Sequence, residues 1–90
     1  MEPISVSIMD PIDVSVARAR MFAELSKIEL ERAEWIVSTK QAQLTRIMGL
    51  FTEGATSEAD VRDANEELAM AQFDYRTAKI HYELDKAVED

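Results

Sequence analysis

No cysteine occurs in this 90-residue chain, which excludes disulfide frameworks and thiolate metal sites together and leaves the redox compartment unmarked. Histidine is almost as scarce. His81 stands alone, so a two-histidine metal face or a histidine-based triad within one chain is excluded, and no Glu-x-x-His spacing of the di-iron bundle type accompanies it. With Asp74, Glu83 and Asp85 for neighbours, it reads as a surface histidine. The two prolines fall at positions 3 and 11 and the two glycines at 49 and 54. Glycine-rich phosphate loops, nucleophile elbows and zinc motifs are therefore missing as well. No apolar run has the length of a membrane span. Met1-Glu2-Pro3 lacks the basic start and apolar core of a signal peptide. Taken as complete, the chain is expected in the cytoplasm.

What fills the chain instead is charge and helix-forming apolar residues. The net charge is -8, with 18 Asp and Glu against 10 Lys and Arg. Almost all the excess lies after residue 50, which disfavours phosphate backbones and anionic lipid as partners. Nucleic acid and membrane insertion are not expected. A hydrophobic share of 47% argues against disorder. A chain this short buries a modest fraction of its surface unless it finds a partner, so oligomerisation is expected.

The organising break is Gly54-Ala55-Thr56-Ser57. Gly54 suits the left-handed residue just past a helix C-terminus. Ser57, followed by Glu58 and Asp60, starts a second helix by capping an amide and placing acid at the positive end of the helix dipole. So short a connection makes the two helices antiparallel. Upstream, Asp10-Pro11-Ile12-Asp13 is a helix start, with Asp10 as cap and Pro11 at the first helical position. The resulting division is an arm at 1–10, helix 1 at about 11–51, a turn at 52–57 and helix 2 at about 58–88. In the arm, Ile4, Val6 and Ile8 alternate with serine at strand period. It reads equally as a tail or as an arm docking on a hairpin.

Periodicity predicts how the helices face each other. In helix 2, Val61, Ala64, Leu68, Ala71, Tyr75, Ala78, Tyr82 and Asp85 occupy successive seam positions, large residues alternating with alanine until the end. Alanine at every second position lets the helix axes approach closely. In helix 1 the heptad row Val14, Met21, Ile28, Trp35 and Ala42, widened by Ala17, Leu25 and Ile36, is expected to form the stripe. A second set, Phe22, Leu30, Ala33, Val37, Leu44 and Met48, lies partly off it. Trp35, Tyr75 and Tyr82 are expected to pack in the core rather than to bind a cofactor. A second line in helix 2, Phe73, Ile80, Leu84 and Val88, exceeds the needs of one partner helix. The fold class expected is all-α, a long antiparallel two-helix hairpin of coiled-coil type, dimerising into a four-helix bundle. Self-association is assigned to Val61, Leu68, Tyr75, Tyr82, Trp35 and Phe73. Glu24, Lys27, Glu31, Glu34, Arg62, Glu66, Arg76 and Lys79 are expected to form exposed pairs that bear on register more than on stability.

Residues 46–87 resemble the coiled-coil hairpins of bacterial efflux and type I secretion systems. Arg46, Leu50 and Ser57 fit the R-x3-L-x6-S spacing at the hairpin tip of periplasmic adaptor proteins (membrane fusion, HlyD-like). Gly54, Ser57, Asp60-Val61 and the recurring Ala64, Ala71, Tyr75, Ala78 and Tyr82 are similar to the periplasmic tip of TolC-like outer-membrane channel proteins. The resemblance implies tip-to-tip docking with another helical-hairpin protein, through Arg46, Leu50, Gly54, Ser57 and Asp60, and a periplasmic location if the chain is an excised fragment of such an adaptor. A non-enzymatic interaction module without cofactor or metal is expected. The alternative is a self-assembling rod or filament subunit of a type III secretion-like apparatus.

Overall fold

The computed structural model describes residues 11–89. The N-terminal arm and its Asp10 cap lie outside the described residues. Two helices account for nearly all the rest: α1, Pro11–Thr52, and α2, Glu58–Glu89. They run antiparallel as a hairpin, drawn out into a rod of 80 × 22 × 14 Å. The radius of gyration is 21.8 Å, against about 12 Å for a compact domain of this length.

Each boundary follows from local chemistry. α1 begins on Pro11, whose preset φ suits a first helical residue. Beyond its last residue, Thr52, the chain turns at Gly54, with φ 77°. There the Gly54 N–H donates to the Phe51 carbonyl at 3.0 Å and the Ala55 N–H to the Leu50 carbonyl at 2.8 Å. This is a Schellman ending, and it satisfies carbonyls that the helix itself leaves open. Ser57 then caps α2. Its hydroxyl accepts the Asp60 N–H at 3.1 Å, while the Asp60 carboxylate accepts the Ser57 N–H at 3.4 Å. The pair is a capping box with aspartate in the usual glutamate position.

The seam between the helices is narrow. Every α2 position expected to face α1, from Val61 to Asp85, is buried or half-buried. On α1 the inward row is Ala19, Ala23, Ser26, Leu30, Ala33, Val37, Lys40, Leu44 and Ile47, stepping alternately by four and three residues. The heptad row Val14, Met21, Ile28, Trp35 and Ala42 faces solvent instead, and Trp35 is 67% exposed. Core packing of Trp35 is thus corrected. The reason is that two residues of the inward row, Ser26 and Lys40, are polar and break its apolar signature. Both find partners on α2: the Ser26 hydroxyl donates to the Asp85 carboxylate, and Lys40 Nζ lies 2.8 Å from Glu67 Oε1. Polar groups hydrogen-bonded across a seam lose little on burial.

The buried apolar set is Ala23, Ala33, Leu44, Ala64, Leu68 and Ala71, four of the six being alanine. Leu44, Ala64 and Leu68 form the one buried cluster among the described residues, with Val37 and Ile47 against it, and it lies in the half of the rod nearer the turn. Farther away, where Ala33, Ala71 and Ala78 meet, a shallow notch of about 180 Å³ remains beside Ile36 and Asp74.

Candidate interaction site

Two surfaces stand out on the rod, the tip and the outer edges. At the tip, Arg46 and Leu50 sit one turn apart on the last stretch of α1, while Ser57 and Asp60 open α2. Arg46, Gly54, Ser57 and Asp60 are exposed and Leu50 is half-buried. The hairpin therefore gathers all five tip residues named from the sequence at one end. Ser57 and Asp60 are occupied with each other, and the Thr56 hydroxyl donates to the same Asp60 carboxylate. These bonds, first from Thr56 and then from Ser57, hold the Asp60 carboxyl below the usual carboxylate range. The tip is thus a pre-organised turn presenting Arg46 and part of Leu50.

Of the residues assigned to self-association, Val61, Leu68, Tyr75 and Tyr82 face α1 within the same chain. Trp35 and Phe73 point outward, 67% and 62% exposed. Around them Met21, Leu25 and Ile28 on α1, and Met70, Ile80 and Leu84 on α2, are exposed as well. Phe73 carries the Arg76 guanidinium 5.5 Å from its ring centroid, a geometry that keeps a cation at the margin of the apolar surface.

The rod has little to hold a small molecule. The groove beside Glu58, Val61, Arg62 and Ala69 is walled by α2 alone. His81 is exposed. Among the described residues no group of three or more His, Cys, Asp or Glu side chains could hold a metal ion, and no helix is long and apolar enough to cross a membrane. Sequence reasoning missed the Ser26–Asp85 and Lys40–Glu67 cross-links. Their signal was the pair of polar residues in the inward row of α1, Ser26 and Lys40, which an apolar template discards. Comparison with protein-family models, with curated proteins and with solved structures finds no match to this chain.

Proposed function

We propose that the chain is a non-enzymatic interaction module, a hairpin that self-associates along its length and presents residues 46–60 as a docking tip for another helical-hairpin protein. The observation that carries this is the mismatch between a seam built mainly on alanine and the large apolar side chains left outside it. These side chains are already about half covered, so covering each of them fully contributes roughly half of the about 1.5–3 kcal/mol of a complete burial, and association recovers burial that the hairpin alone lacks. The Arg-Leu-Ser spacing, resembling that of adaptor tips, supports the docking part.

Light scattering across a wide concentration range tests self-association: a mass above one chain is expected, and a single-chain mass throughout would remove it. Leu50→Asp tests the tip. With helicity unchanged, it should abolish capture of a helical-hairpin partner, and capture at full strength would remove the docking role. The second reading, a filament subunit of a secretion apparatus, draws on the 80 Å rod with apolar residues on both helices. It requires a mass that keeps climbing with concentration.

A further inference from the structure

The two broad faces of the ribbon differ in kind. Beside the inward row of α1 runs a second row with the same alternating step, through Phe22, Leu25, Glu29, Arg32 and Ile36 to Arg46 and Leu50. At 100° per residue it lies about 90–130° round the helix from the seam. The corresponding row of α2 runs from Asp60 and Asp63 through Met70 and Asp74 to Leu84 and Val88. Both rows lie on one face. Arg32, Ile36 and Asp74 line the notch, and Ile36, Met70 and Asp74 line the groove that continues it past Lys40 and Glu67. The other broad face carries Glu24, Lys27 and Lys86 around a separate groove, and Glu31, Arg62 and Arg76 fall on that side too. There acids and bases mix on both helices, and Met48 is the one large apolar side chain among the described residues.

On the apolar face the charges are sorted by helix. α1 supplies Arg18, Arg32 and Arg46 and one acid, Glu29, whereas α2 supplies Asp60, Asp63, Glu67 and Asp74 and no base apart from His81. Glu67 is paired with Lys40 inside the chain, but among the described residues Arg32, Arg46, Asp63 and Asp74 have no ion pair. Thr39 and Thr77, also in these rows, already donate to their own helices, so covering them strands no hydroxyl. The Lys40–Glu67 pair and the cluster of Leu44 with Ala64 set the height of one helix against the other. Counted from them, Arg46 is level with Asp63, Arg32 with Asp74 and Glu29 with His81, each within one turn. Likewise Ile36 is level with Met70, and Phe22 and Leu25 with Leu84 and Val88.

We infer that a second copy of this chain covers this face, related to the first by a two-fold axis along the rod, with both tips at the same end. The inference rests on the self-association proposed for the hairpin. Such an axis keeps every height and lays α1 of each copy on α2 of the other. Arg32 then meets Asp74 of the other copy, Arg46 meets Asp63, Glu29 meets His81, and the apolar residues meet each other. A copy turned end for end instead puts arginine row on arginine row and acidic row on acidic row. The contact is isologous, so it closes at two copies into a four-helix bundle. Ile28, Trp35, Phe73 and Ile80, on the ribbon's edges, stay outside it.

Phe22→Cys and Leu84→Cys alter exposed positions, 47% and 60% accessible, in a chain with no other cysteine, and circular dichroism checks that helicity is kept. Under a thiol oxidant, an equimolar mixture should yield chiefly the covalent dimer of one of each, with either variant alone linking several-fold less. Linking of either variant to itself as readily as to the other overturns the arrangement. Light scattering on the unaltered protein should show a mass that stops at two chains. A mass that climbs past two also overturns the arrangement, yet leaves self-association standing through another face. A single-chain mass at every concentration removes both. Charge exchange gives a second measurement: Arg32→Asp and Asp74→Arg should each weaken the dimer several-fold, and mixing the two should restore it, since both contacts of the mixed dimer then join opposite charges. A pair confined to one chain stays broken in both variants, so a mixture that associates no better than either variant alone overturns the proposal.

Discussion

At Asp60 one carboxylate serves the whole start of α2, accepting from the Thr56 hydroxyl and the Ser57 amide while its own amide is capped by Ser57. Its pKa is lowered in the folded chain, so the unfolded chain takes up the proton first. The stability it contributes is present above the ordinary carboxylate pKa and is lost as pH falls through the lowered value. Asp60→Asn should accordingly flatten the acid limb of a plot of melting temperature against pH, with little change in the shape of the curve at neutral pH. Ser57→Ala removes the cap and is expected to cost about 1 kcal/mol, a drop in melting temperature of roughly 4–8 °C for a domain of this size. The two glycines should respond with opposite signs. Gly49 is helical with open space around a would-be Cβ, so Gly49→Ala should stabilise by about 1 kcal/mol. Gly54 holds φ +77°, and Gly54→Ala should destabilise by about 1–2 kcal/mol. Thermal melts followed by circular dichroism read all three changes.

Between the helices, a few contacts hold most of the hairpin together. Leu68 is buried in the cluster with Leu44 and Ala64, and Leu68→Ala should cost about 2–5 kcal/mol by lost transfer energy and the cavity left behind. Lys40→Met removes the ion pair with Glu67, whose side chains are 33% and 48% exposed. Water screens that pair, so the loss should stay below about 1 kcal/mol. Urea titrations of the two variants should therefore differ clearly in midpoint. Were Lys40→Met the more damaging, the seam would be held by charge rather than by packing. Along the outward faces, Thr39, Thr45, Thr52 and Thr77 donate to the carbonyl four residues back at 2.9–3.2 Å. Their hydroxyls are thus satisfied without a partner chain, unlike the bare apolar side chains beside them.

For the whole molecule, the consequence of a thin rod is a large surface for its mass. A 22 × 14 Å cross-section is two helices wide and one thick, so no position far from the seam can be buried by the chain itself. Stability should thus depend on protein concentration. Diluting the protein a hundredfold should lower its melting temperature, since a folded state that binds copies of itself is stabilised by mass action. A melting temperature constant over that range would count against association. The acidic α2 also predicts a response to salt: raising ionic strength should screen repulsion between the acidic helices of neighbouring copies, so the mass read by light scattering should rise with added salt.

The two helices, the turn at Gly54, the capping Ser57 and the whole inward row of α2 were legible from the sequence, because each depends on neighbours within a few residues. A left-handed glycine, a capping hydroxyl and an alternation of large residues with alanine act locally, whatever the helix packs against. Which face of α1 turns inward was decided only in the tertiary structure. α1 has two heptad rows, and the more apolar one, through Met21, Ile28 and Trp35, lies outside. The inward row holds Ser26, buried and bonded to Asp85, and Lys40, half-buried and paired with Glu67 across the seam. Those partners lie 59 and 27 residues away in the chain, beyond the reach of any local pattern, and only the pairing of the two helices brings them together.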